Sequence, residues 1–157
     1  MKKLLFLLVL LAAGSAAYAQ QQKGDFQLQA QAAYYSVEGF DFGSVYFNAS
    51  KFITDQVEIG ASPYLTISTE TTMNLTLFAN YSFLTSNAML VPYAGGGLTF
   101  YNLGSSFGSQ TGFTLKAGLR YYVTERVNVD IGPNLVFVEG TNIFILNAGL
   151  GYIFGKR

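Results

Sequence analysis

Apolar and polar residues alternate with period two on both sides of Glu125, and this pattern restricts the chain more than any other feature. Placing Glu125 at the centre of a three-residue turn and pairing outward as an antiparallel hairpin sets six residue pairs on one face. They are Val123 with Val127, Tyr121 with Val129, Leu119 with Ile131, Ala117 with Pro133, Leu115 with Leu135, and Phe113 with Phe137. All are apolar. The pairs between them are polar or small: Tyr122 with Asn128, Arg120 with Asp130, Gly118 with Gly132, Lys116 with Asn134, and Thr114 with Val136. Successive side chains of a strand point to opposite sides, so the two sets line the two faces of one sheet.

The phrase at the centre of this hairpin, YVTERV at 122–127, has counterparts in FITDQV at 52–57 and FLTSNA at 83–88. Each runs aromatic, aliphatic, Thr, two polar residues, then a small or branched apolar one. A hairpin built about Asp55 puts Val45 opposite Leu65, Phe47 opposite Pro63 and Ala49 opposite Ala61. Tyr46 with Tyr64, Asn48 with Ser62 and Ser50 with Gly60 take the other face. Lys51 falls on the apolar face, one residue from the turn, where its ammonium can extend to water. Alternation also marks 26–35, 73–83 and 144–154. In 89–101 the favoured facing puts Leu90, Pro92, Ala94, Leu98 and Phe100 on the apolar side.

Three turn phrases each joining two strands, with one further strand at either end, predict eight strands. Four longer connections, 36–43, 68–72, 102–111 and 139–142, then gather at the opposite end. Strands of about ten residues with tight turns at one end and longer loops at the other describe a small transmembrane barrel. The predicted fold is all-β, an eight-stranded antiparallel up-and-down transmembrane β-barrel. Closure is needed because lipid cannot hydrogen-bond an open sheet edge. Pro63, Pro92 and Pro133 each remove a ladder donor and are expected at bulges.

Charge decides which face looks outward. A two-faced barrel can also turn its apolar side inward, as a lipocalin-like ligand carrier does. Only 11% of this chain is charged, whereas a water-facing surface has roughly 25–35% charged residues. The polar face offers Glu58, Lys116, Arg120 and Asp130, and otherwise Gln, Asn, Ser, Thr and Gly. Lys or Arg facing mid-bilayer lipid costs about 2–4 kcal/mol, so Lys116 and Arg120 are expected inside. Aromatic residues of the apolar face fall in two groups, as interfacial girdles would. Phe26, Tyr81, Phe83, Tyr121, Tyr152 and Phe154 lie near the turns, and Tyr34, Phe100, Phe113, Phe137 and Phe144 near the loops.

Lys2 and Lys3, the apolar run Leu4 to Ala13, and Ala17-Tyr18-Ala19 before Gln20 form the three sections of a secretory signal peptide. The expected division is a signal peptide at 1–19, cleaved after Ala19, and a barrel domain at 20–157. The exported part keeps seven basic and nine acidic residues, with no basic excess to suit nucleic acid. It has no cysteine, so stability must come from a core or from lipid.

An eight-stranded barrel has an interior that side chains just fill. Tyr35, Tyr46, Tyr64, Phe78, Tyr122 and the Gln and Asn rows would occupy much of it. Glu58, Lys116, Arg120 and Asp130 are expected to form an internal charge cluster, favoured as a charge-balanced plug over a gate or narrow ion path. With neither His nor Cys in the sequence, no catalytic residue, metal site or cofactor is expected. The loop candidates are Glu38, Phe40, Asp41, Phe42, Glu70, Phe107 and Glu139. Their acidic members suit solvation or divalent bridges to lipopolysaccharide, and their Phe residues suit a binding surface.

The eight alternating strands, PYAGGGL at 92–98, the VTERV-type turns and the closing AGLGYIF at 148–154 resemble the small OmpA/OmpX-like outer-membrane β-barrel domain family of Gram-negative bacteria. The resemblance spans essentially the whole chain after the signal peptide. It implies residence in the outer membrane, with lipid and lipopolysaccharide as surroundings. It also implies assembly by the barrel-assembly machinery, which reads a terminal aromatic residue preceded by alternating apolar positions. Here these are Phe154, Tyr152, Leu150 and Ala148, followed by Gly155-Lys156-Arg157. Two functional readings follow: a structural or interaction barrel at the cell surface, or a narrow pore for ions or small apolar solutes, through the lumen or sideways through the wall.

Overall fold

The computed structural model describes residues 21–37, 40–67, 71–87, 89–103 and 110–155, with backbone alone at 35–37, 40–43, 65–67 and 71–72. These residues form eight antiparallel strands. They are β1 (Phe26–Val37), β2 (Phe40–Phe52), β3 (Val57–Ile67), β4 (Thr71–Ser82), β5 (Leu90–Leu103), β6 (Gln110–Tyr122), β7 (Val127–Val138) and β8 (Thr141–Phe154). Each strand pairs with its neighbour in the chain, and β8 returns to β1 from Phe26–Phe154 to Ser36–Phe144, closing the ring. The predicted up-and-down barrel is the fold observed.

The turn centres set the register. β6 and β7 pair Phe113 with Phe137, Leu115 with Leu135, Leu119 with Ile131 and Arg120 with Asp130, symmetric about Glu125. β2 and β3 pair Ala49 with Ala61 and Phe52 with Glu58, symmetric about Asp55. Threonine explains why the phrase recurs. The Thr54 hydroxyl oxygen accepts the Gln56 and Val57 N–H groups at 3.2 and 2.9 Å, and Thr124 accepts those of Arg126 and Val127 at 3.2 and 3.0 Å. A side chain thereby satisfies turn donors that have no ladder partner. The third copy differs. Thr85 donates to the Leu90 carbonyl at 2.9 Å across a wider connection, because β5 begins only at Leu90.

Side chains sort by the predicted parity. Gln27, Gln29, Gln31, Asn48, Ser62, Asn80, Asn128 and Asn147 are buried in the lumen, whereas Leu28, Leu77, Leu115, Ile131, Leu146 and Leu150 are exposed on the outer wall. In β5, Val91, Tyr93 and Thr99 turn inward and Leu98 outward, the favoured facing. Outer aromatics meet in pairs near the turns, Phe26 with Phe154 and Tyr81 with Phe83, with ring centroids 6.3 and 5.2 Å apart. Near the loops Phe113 stacks on Phe137 at 6.5 Å.

Two expectations are corrected. The loop end is tighter than predicted: β1 runs to Val37 and β2 starts at Phe40, its partner in the register. Phe40, Asp41 and Phe42 are therefore strand residues, not loop residues. Polar side chains do not end a strand whose backbone groups continue to find partners.

The prolines mark ladder ends and gaps rather than bulges. In an antiparallel ladder, pairs that exchange hydrogen bonds come at every second position. Ile53 N–H donates to the Val57 carbonyl at 2.8 Å, so the bonded pairs step through Lys51–Ile59 and Ala49–Ala61 to Phe47–Pro63. Proline has no N–H, and Ala49–Ala61 is the last registered pair of β2 with β3. The same stepping from Val123 and Val127 places Pro133 at a bonded site opposite Ala117. There the register skips two pairs and resumes at Lys116–Asn134. Pro92, whose carbonyl accepts the Phe83 N–H at 2.8 Å, closes the β4–β5 ladder, which ends at Ser82–Tyr93. A register shift does occur, but between Met73 and Leu75.

Candidate functional site

The lumen is layered. At the turn end Phe52, Val91, Tyr122 and Ile153, each 0% exposed, pack into one apolar cluster. These four come from β2, β5, β6 and β8, so the layer reaches across the barrel. Beneath it the segment before β1 tucks against the mouth. Gly24 N–H donates to the Phe52 carbonyl at 2.8 Å, Lys23 N–H to Asp55 Oδ1 at 2.7 Å, and the Tyr122 hydroxyl to Gln21 Oε1 at 2.5 Å.

The second layer is ionic. Arg120 Nη2 meets Glu58 Oε2 at 2.9 Å, and its Nε lies 3.5 Å from Asp130 Oδ2. The Tyr93 hydroxyl donates to Asp130 Oδ1 at 2.8 Å. The guanidinium also lies 5.3 Å from the Tyr93 ring and 5.6 Å from that of Phe52. Three of the four residues expected in the cluster are thus joined directly. Lys116, the fourth, has neither an ion pair nor a hydrogen bond among the described residues, and its ammonium sits over the Phe78 ring at 4.1 Å. Sequence reasoning missed Tyr93 and Phe52, although both lie on the inward parity: Phe52 faces Glu58 in the register, and Tyr93 follows the outward Pro92.

Above the ions lies a cavity of about 40 Å³, lined among others by Tyr46, Ser62, Tyr64, Thr99, Lys116 and Ile145. The Thr76, Thr99 and Thr114 hydroxyls form a chain at 2.8 and 3.1 Å along its wall. Toward the loops Ala33, Tyr46, Val136 and Ile145 form a second apolar cluster.

Of the loop candidates, Glu139 is exposed in the turn before Gly140, whose φ of 74° is readily adopted by glycine. Glu38, Glu70 and Phe107 lie outside the described residues, and for Phe40, Asp41 and Phe42 only the backbone is described. Leu150, Tyr152 and Phe154 face outward on β8, 62%, 39% and 48% exposed.

The model of the outer membrane protein beta-barrel domain family matches residues 5–154. The chain belongs to that family. It is therefore an outer-membrane β-barrel of the OmpA/OmpX-like kind. Solved structures agree in fold. The N-terminal β-barrel domain of Pseudomonas aeruginosa OprF superposes with a TM-score of 0.71 at 23% identity, covering 85% of this chain and 100% of that one. Neisserial surface protein A gives 0.59 at 22% identity, covering 84% and 100%. Ail, the attachment invasion locus protein of Yersinia pestis, gives 0.55 at 15% identity, covering 85% and 100%. No curated protein matches the sequence.

Proposed function

We propose that this family member is a small, plugged barrel of the Gram-negative outer membrane with a structural or interaction role at the cell surface. In this reading residues 1–19 are cleaved on export, the tight turns face the periplasm, and Leu150, Tyr152 and Phe154 are read by the barrel-assembly machinery. Lipid and lipopolysaccharide surround the wall, and Glu139 belongs to the surface presented outward. The observation that carries it is the layer of Phe52, Val91, Tyr122 and Ile153, all without exposure, backed by the Arg120 ion cluster. Ions crossing this lumen would have to displace close-packed side chains and a buried ion pair, a large barrier. Catalysis is no part of the proposal, since the sequence supplies neither histidine nor cysteine.

Single-channel recording in planar bilayers tests the reading. The proposal expects no steady conductance steps from the folded barrel. Reproducible steps that vanish when the protein is omitted would contradict it and favour the narrow ion pore. The sideways variant of the pore reading, for apolar solutes, draws support from the short β2–β3 ladder.

A further inference from the structure

The wall of the barrel is not uniform. β2 is registered with β1 along its whole length, from Phe26–Lys51 to Val37–Phe40, and β3 with β4 from Val57–Tyr81 to Ile67–Thr71. Between β2 and β3 only four pairs are registered among the described residues, ending at Ala49–Ala61. Above that point side chains link the strands. The Ser62 hydroxyl donates to Asn48 Oδ1, and the Tyr46 and Tyr64 rings lie 6.2 Å apart. Outside, Val45 and Phe47 are 67% and 63% exposed, among the barest residues of the wall. Pro63 supplies the cause, since it removes the next backbone donor.

This seam leads to the cavity described above. Tyr46, Ser62 and Tyr64 belong to the loosened stretch, and they also line the cavity, opposite Lys116. Lys116 is 9% exposed, and both interior carboxylates of its neighbourhood are already held by Arg120 and Tyr93. The Lys116 ammonium, over the Phe78 ring and beside a chain of threonine hydroxyls, therefore keeps its N–H donors for a ligand in the cavity. A volume of about 40 Å³ exceeds the roughly 10–15 Å³ that one water needs, which leaves room for a small anionic group such as a carboxylate. The ion layer and apolar layer below make it a dead end.

We propose that the upper β2–β3 seam is a side entrance from the hydrocarbon to an anion pocket at Lys116, which takes the carboxylate head of a single-chain amphiphile. The head occupies the cavity, and the chain parts the Tyr46–Tyr64 contact to remain in the leaflet. This pocket binds rather than conducts, so it is compatible with a plugged lumen and independent of it.

A long-chain fatty acid carrying a diazirine near its carboxylate, photolysed with the barrel in phosphatidylcholine nanodiscs, provides the test by peptide mapping. Adducts are expected on inward residues, Ser62, Tyr64, Thr76 or Thr99. Lys116→Gln should lower them roughly tenfold, the loss of one charge-assisted hydrogen bond. Because the chain has no cysteine, the paired change Val45→Cys with Leu65→Cys, facing positions in the count about Asp55 that leave Pro63 in place, allows the seam to be stapled in a folded barrel. Inward adducts should disappear on oxidation and return on reduction. Adducts confined to outward residues such as Val45, or inward adducts indifferent to both the staple and Lys116→Gln, would overturn the proposal.

Discussion

Arg120 on β6 reaches across the lumen to Glu58 on β3, 62 residues earlier in the chain, and holds it at 2.9 Å with both side chains buried. Asp130, its neighbour in the register, lies farther at 3.5 Å. A charge in such a site depends on its partners, because removing one leaves the other desolvated and unpaired. Arg120→Met should therefore cost about 3–5 kcal/mol of barrel stability. Adding Glu58→Gln should recover roughly half of that loss, since neighbouring sites are not additive. Guanidinium unfolding in lipid vesicles, read by gel mobility without boiling, measures both. Equal losses in the single and double variants would refute the coupling.

Thr54 and Thr124 each accept two backbone N–H groups in a tight turn. Valine keeps their shape and removes the acceptor. Thr124→Val is expected to destabilise the barrel by about 1 kcal/mol, and Thr54→Val by a similar amount. Thr85→Val should behave differently, because Thr85 acts as donor to the Leu90 carbonyl in a wider connection. Its effect belongs to the folding of that connection and leaves the other two turns unchanged, as amide hydrogen exchange at Val57 and Val127 would report.

Gly132 on β7 lies against the backbone of β6. A Cβ placed there would lie 2.0 Å from the Ala117 carbonyl oxygen and 2.7 Å from the Gly118 Cα, both backbone atoms. Gly132→Ala must move a strand, and overpacking of this kind costs about 1–3 kcal/mol. Gly96→Ala meets its nearest atom, the Thr114 carbonyl oxygen, at 3.2 Å and should cost less. Comparative unfolding titrations of the two variants decide the order.

Much of this architecture is legible in the sequence because period-two alternation and turn centres are local. Glu125 and Asp55 suffice to place Leu119 opposite Ile131 and Ala49 opposite Ala61. The Arg120–Asp130 pairing follows from the same count. The Glu58 contact does not, since it crosses the lumen between β3 and β6 and depends on the stagger of the closed barrel. The loop ends were hidden for a different reason: Phe40, Asp41 and Phe42 carry no alternation that distinguishes a strand leaving the membrane from a loop. The effect of Pro63 lies in between. That proline weakens a ladder is readable from sequence, but which neighbour it faces follows only from the alternation of bonded pairs, counted from Ile53 and Val57.

The facing of the wall is the claim on which the rest depends. The chain has no tryptophan, so a single one introduced at Leu115, which is 45% exposed on the outer face, reports its surroundings alone. In vesicles of lipids brominated at different depths, Leu115→Trp should be quenched most strongly by bromines deep in the acyl chains, and Glu125→Trp, in the turn, hardly by any. Fluorescence of Leu115→Trp that no brominated lipid quenches, from a protein monodisperse in plain buffer, would contradict the account.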